Sequence, residues 1–174
     1  TGQMKTEKVT PTISPSMDIQ VSSNFERLLF DLFGRAGSAV DKTMKHFRTA
    51  GPFHVEKPAM DYLGQMFSSG RLNDDETRAV IRRIYDRYGY IIDPHTAVGV
   101  GVAEAYQKNN LSAVVVSLAT AHPAKFPDAV EAAIGIRPPL PAHLADLYQR
   151  KERCAVLPSR LDRVMDFVRA NTRR

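Results

Sequence analysis

Tyr90-Ile91-Ile92-Asp93-Pro94-His95-Thr96-Ala97-Val98-Gly99, and the stretch Leu111-Ser112-Ala113-Val114-Val115-Val116-Ser117-Leu118 that follows it, decide the fold class. Tyr90-Ile91-Ile92 is a short apolar run. Asp93-Pro94 then supplies an N-cap and a first-turn proline for a helix over about 94–108. Ala113 to Val116 is continuously apolar rather than alternating, which suits a strand covered on both faces. Phe126-Pro127-Asp128 opens a further helix through Ala133, ending at Gly135. Strand, helix, strand, helix in this order predicts a βαβα unit with parallel strands and a right-handed crossover.

Outward from this unit the chain reads as helical. Residues 1–21 form an irregular entry loop, because Thr10-Pro11 and Ser14-Pro15 bias the backbone away from helix. A helix begins near Ser22 or Ser23, where Ser23 and Glu26 have capping-box spacing; Phe25, Leu28, Leu29, Leu32 and Phe33 give it an apolar face, and Gly34 closes it. Helices follow over Ser38–Arg48 and 58–67, and Asn73 with Glu76 starts another that runs to Gly89. Beyond the βαβα unit, the prolines at 138, 139 and 141 make a stiff connector and 141–150 reads as a short helix. Lys151–Leu157 reads as an edge strand, and Ser159 starts a last helix with Leu161, Val164, Met165 and Val168 facing inward. The expected fold is α/β and helix-rich, with a few mostly parallel strands. It reads as one segment over 1–174, divided into the loop 1–21, a helical part 22–89, and the βαβα unit with C-terminal helices over 90–174. Too few strands occur for a complete doubly wound sheet.

Of 174 residues, 43% are hydrophobic and 25% charged, a globular balance. No run of about 18 uncharged apolar residues occurs, so no membrane-spanning helix is expected. The lone Cys154 rules out an internal disulfide or a multi-cysteine metal site and points to a reducing, cytoplasmic setting. No signal peptide is read at Thr1-Gly2-Gln3-Met4-Lys5, and the missing initiator Met suggests a processed or excised piece. The net charge of +5 raises nucleic acid or another anion as a partner. However, Arg82, Arg83 and Arg87 lie beside Asp74, Asp75, Glu76 and Asp86, and no aromatic-interleaved basic motif occurs, which argues against nucleic acid.

None of the five histidines forms a metal-ligand pair on one helix, and Gly99-Val100-Gly101 lacks the third glycine of a dinucleotide fingerprint. Those glycines, with Ala97, Ala103 and Ala105, read as close packing within a buried helix. Ligands in open α/β sheets gather at the carboxyl ends of strands. His95 and Thr96 follow one predicted strand, and Ser117 to His122 follow the other, so an active-site rim at His95, Thr96 and His122 is expected. The competing reading is that Asp93 only caps a helix and the histidines satisfy loop backbone groups. Ser16, Asp18 and the helix start Ser22-Ser23-Asn24 offer hydroxyls and backbone donors for a phosphate, against simple capping.

Three strings in order carry a resemblance. Ser14-Pro15-Ser16-Met17-Asp18-Ile19 with Ser23-Asn24-Phe25-Glu26-Arg27, then Asp93-Pro94-His95-Thr96-Ala97, then Thr120-Ala121-His122-Pro123-Ala124-Lys125-Phe126 resemble segments in the C-terminal part of threonine synthases. Members of that family are pyridoxal-phosphate enzymes of fold type II that convert O-phospho-L-homoserine and water to L-threonine and phosphate. The resemblance implies a C-terminal portion, well under half of the parent's length and catalytically silent alone. It implies no catalytic residue here, since the Schiff-base lysine and the cofactor-phosphate cup lie upstream; Lys125 falls in a string that does not hold that lysine. It further implies Thr120 as the partner of the cofactor's pyridine nitrogen, with Ser117 as competitor. Ser16, Asp18, Ser23, Asn24 and Arg27 fall on the substrate side, and the missing N-terminal part is the partner. The alternative is a non-catalytic, basic, helix-rich module that binds anions or nucleic acid.

Overall fold

The computed structural model describes residues 2–172. In chain order its elements are β1 (Gln3–Met4), α1 (Ser23–Leu32), α2 (Gly37–Thr49), β2 (Phe53–His54), α3 (Lys57–Met66), α4 (Asp74–Tyr88), α5 (Pro94–Asn109), α6 (Pro127–Ile134) and α7 (Leu161–Asn171). Single 3-10 turns stand at Pro15–Met17, Pro123–Lys125, Ala142–Leu144 and Leu147–Gln149. Two compact units divide the chain, Thr1–Pro139 and Leu140–Arg174. None of the described helices is long and apolar enough to cross a membrane.

The helices that hold the first unit together start and stop where local chemistry dictates. Asn73 caps α4 by accepting from the Glu76 amide at 2.9 Å, while Glu76 accepts from the Asn73 amide at 2.7 Å, a complete capping box. Gly89 ends α4 at φ 64° and Gly135 ends α6 at φ 73°, left-handed positions where a Cβ would be strained. Asp93 caps α5 through the His95 amide. Val80 and Ile81 of α4, Ile92, Ala97 of α5, and Val130 and Ile134 of α6 form one core. A second core joins α1, α2 and β2 through Leu29, Val40, Met44, Phe47, Phe53 and Val55, with the Phe47 and Phe53 rings edge to face at 5.4 Å.

The predicted parallel strands do not form among the described residues. Residues 90–92 and 113–120 carry no strand, and the single described sheet is antiparallel, pairing Gln3 with His54 and Met4 with Phe53. The reason is physical: an extended segment becomes a strand only when a neighbour supplies the ladder, and among the described residues no strand pairs with 113–118. Val114 and Val116 stand 92% and 79% exposed. Lys151–Leu157 likewise carries no strand, and residues 141–150 hold two 3-10 turns in place of a helix. The expected capping box at Ser23 is also absent. Ser22 is the N-cap, without a side-chain cap bond, and Glu26 pairs instead with Arg48 at 2.8 Å. Helix α5 is buried only at its first turns, through Pro94 and Thr96 to Val98; residues 100–104 are half-buried and 105–109 are exposed. In the second unit the apolar face of α7 is not turned inward: Leu161 is 76% exposed, and Val164, Met165 and Val168 are also exposed. Helical periodicity identifies a face that needs cover, not what covers it.

Candidate active site

Asp93 has no exposed surface, and a carboxylate in that position requires donors on both oxygens. Its place at the N-cap of α5 supplies them. Oδ1 accepts from the His95 amide at 2.9 Å and from His95 Nδ1 at 3.0 Å, and Oδ2 accepts from the buried Thr96 hydroxyl. From this hub the network reaches both other strings. The Thr96 hydroxyl accepts from the Thr120 amide at 3.3 Å, and His95 Nε2 accepts from the Ser16 amide at 3.1 Å. The Phe126 ring packs on the His95 imidazole, with centroids 4.6 Å apart. Residues 16, 93–96, 120 and 126 thus belong to one connected cluster.

The chain around Ser16 is tied down locally as well. Asp18 takes the Thr12 amide at 2.8 Å and the Thr12 hydroxyl at 2.9 Å, which folds residues 12–18 into a loop. The Ile13 amide donates to Asp74 Oδ1 at 3.1 Å, at the start of α4. Ser14 is buried within this loop. The first turns of α4 and α5 together seat it.

Thr120 is exposed, and its hydroxyl has no hydrogen-bond partner among the described residues, whereas its backbone is anchored on Thr96. A free hydroxyl on a fixed backbone can donate to, or accept from, a ring nitrogen brought to it. Ser117 is placed differently, its hydroxyl lying 3.1 Å from where a Cβ on Gly99 would sit. His122 faces solvent and accepts from the Ala124 amide at 3.2 Å, a local capping bond that leaves it outside the Asp93 network. Lys125 is exposed, its ammonium 5.9 Å from the Phe126 ring centroid.

Ser23, Asn24 and Arg27 occupy another place. Ser23 and Arg27 line a groove of about 490 Å³ between α1 and α2, shared with Glu26 and Arg48; Asn24 is exposed on the same helix start. No described hydrogen bond links them to the Asp93 cluster. The second unit has a hollow of about 940 Å³ along Leu147–Arg153, flanked by Arg150, Lys151 and Arg153.

Asp93 is not among the expected rim residues His95, Thr96 and His122, yet the hydrogen bonds of His95 and Thr96 meet on it. The signal was there: a carboxylate followed at the second and third positions by histidine and threonine puts three donors within its reach. Asp74 and Phe126 left no such signal, since their partners come from distant sequence.

A family model described as threonine synthase, C-terminal, matches residues 96–168. Over 159 residues the chain is 50% identical to the threonine synthase of Pseudomonas aeruginosa, covering 91% of this chain and 34% of that protein. Against the threonine synthase of Saccharomyces cerevisiae it is 41% identical over 145 residues, covering 75% of this chain and 28% of the relative. A pyridoxal-phosphate-bound threonine synthase from Brucella melitensis superposes with a TM-score of 0.77 at 45% identity, over 99% of this chain and 37% of that one. The chain therefore spans about a third of the length of the relatives it matches. On these similarities the chain belongs to the threonine synthase family and corresponds to the C-terminal part of its members.

Proposed function

We propose that these residues serve a threonine synthase, forming one wall of the site in which O-phospho-L-homoserine and water become L-threonine and phosphate. The observation that carries this reading is the anchored, free-hydroxyl Thr120, joined through Thr96 and Asp93 to His95 and Ser16. When bound, pyridoxal phosphate supplies the electron sink for the reaction. Thr120 would hold the pyridine nitrogen by a neutral hydrogen bond, which orients the ring without an anion to keep that nitrogen protonated. Asp93 and Thr96 act behind it, fixing the Thr120 backbone from within the protein.

Ser16 and Asp18 belong to the substrate side of the same wall. Asp18 shapes the loop by holding Thr12, leaving Ser16 and the backbone of the Pro15–Met17 turn to face the substrate. Ser23, Asn24 and Arg27 are assigned to the substrate phosphate. In support, the N-cap Ser22 makes no side-chain cap bond, so the opening amides of α1 lack that internal partner. The catalytic lysine and the cofactor-phosphate cup are assigned to the N-terminal part of the enzyme, and the chain alone is assigned no activity.

Thr120→Val and Thr120→Asp in the complete enzyme test the central assignment through cofactor absorbance and threonine formation. Valine removes the hydroxyl and aspartate introduces an anion, so the two should shift the spectrum differently, and both should slow turnover by at least about tenfold, the worth of one well-placed hydrogen bond. Parental spectra and rates in both variants would remove Thr120 from the cofactor site.

A further inference from the structure

We infer that His95 is a positioning residue: a neutral imidazole with its proton on Nδ1, whose Nε2 holds the Ser16 amide and so sets the Pro15–Met17 turn against the N-terminus of α5. This rests on the reading of the preceding subsection for what the turn faces. It does not rest on it for the linkage itself.

The tautomer follows from the partners. A backbone amide can only donate, so the Ser16 contact at 3.1 Å requires a bare Nε2 lone pair. The remaining proton then sits on Nδ1, 3.0 Å from Asp93 Oδ1, where a carboxylate oxygen accepts it. Ring orientation is fixed at the same time. Phe126 lies on the imidazole at an interplanar angle of 56°, and the His95 side chain is only 7% exposed. The imidazole therefore has one orientation, one tautomer and one free acceptor. That acceptor falls on a turn 79 residues earlier in the chain.

Its consequence is a selective coupling. Asp93 holds His95 with one oxygen and Thr96 with the other, so the Ser16 turn and the Thr120 backbone share a single buried anchor. A histidine that merely filled space would not need an acceptor at Nε2. Asparagine, too short by one atom, does not reach Ser16 from the same backbone. Glutamine can bring a carbonyl oxygen to the position of Nε2.

The test uses the complete enzyme of which this chain is part. Imidazole ¹⁵N spectra, with His95 assigned by its loss in H95Q, should show a protonated Nδ1 and a bare Nε2. Amide exchange at Ser16 should speed by about tenfold in H95A and H95N and return toward the parent rate in H95Q. In the same series KM for O-phospho-L-homoserine should rise by about fivefold to tenfold in H95A, with kcat nearly unchanged, and H95Q should recover most of the loss. An Nε2-protonated ring, or Ser16 exchange indifferent to H95A, overturns the linkage. Faster Ser16 exchange with an unchanged KM overturns the positioning role and leaves a structural strut. If H95A does not fold, the ¹⁵N spectrum of the parent and the H95N–H95Q contrast still decide. A complete protein that consumes no O-phospho-L-homoserine yet shows the ring and exchange behaviour sinks the functional reading and supports the linkage.

Discussion

A buried carboxylate is tolerated when each oxygen has donors, and Asp93 meets that condition with three from the two side chains and one amide that follow it. The same Oδ1 that caps α5 also holds the His95 ring. Thr96 tests the other oxygen. Thr96→Val keeps the shape but strips the donor from Asp93 Oδ2 and the acceptor from the Thr120 amide, both inside a residue only 4% exposed. Leaving such groups unpaired costs about 1–3 kcal/mol, so the thermal midpoint of the complete enzyme should fall and Thr120 amide exchange should accelerate. Thr96→Ser retains the hydroxyl and should restore most of both. Equal stability of the valine and serine variants would show that the hydroxyl carries no part of the network. His122, by contrast, accepts from a local amide, that of Ala124.

At the scale of elements, what was legible in the sequence is what neighbours along the chain determine. Asn73 with Glu76, Gly89, Asp93-Pro94 and Gly135 each act within four residues of themselves, and the bounds of α4, α5 and α6 follow from them. Pairing partners are not local. Gln3 finds His54 and Met4 finds Phe53 from far along the chain, while the apolar run 113–116 finds no ladder among the described residues. The two glycines of α5 separate local from tertiary effects. Alanine in place of either gains about 1 kcal/mol of helix propensity. At Gly99 the added Cβ meets only the Ser117 hydroxyl at 3.1 Å, which can rotate away. At Gly101 it meets both Leu72 methyl groups, the nearer at 2.5 Å, and Val80 Cγ2 at 3.3 Å within the core. Overpacking of that kind costs about 1–3 kcal/mol and outweighs the propensity gain. Gly99→Ala should therefore raise the thermal midpoint and Gly101→Ala should lower it. Both midpoints rising would mean that the Leu72 side chain yields freely, and both falling that the Ser117 hydroxyl does not.

For the molecule as a whole, the positioning of Thr120 and the absence of a ladder beside 113–118 act together. A catalytic hydrogen bond requires its group to be held within about 0.5 Å, by surroundings that are themselves rigid. Among the described residues the Thr120 backbone has one hydrogen-bonding anchor, Thr96, and the stretch leading to it exposes Val114, Val116 and Leu118 at 92%, 79% and 73%. Burying side chains of that size is worth about 1.5–3 kcal/mol each, and within this unit that stabilisation is not collected. A lysine that bonds a carbonyl cofactor must also be activated by desolvation or a cationic neighbour. Lys125, the lysine of the third string, stands exposed beside Phe126. The 174-residue chain on its own is therefore expected to be silent. Mixed with pyridoxal phosphate and O-phospho-L-homoserine, it should give no phosphate above the rate with cofactor alone, and no specific change in cofactor absorbance. The complete enzyme under the same conditions provides the positive control. Phosphate release by the purified chain that disappears in Thr120→Val would overturn this expectation, because it would show that residues 1–174 hold both Thr120 and an activated amine in working geometry.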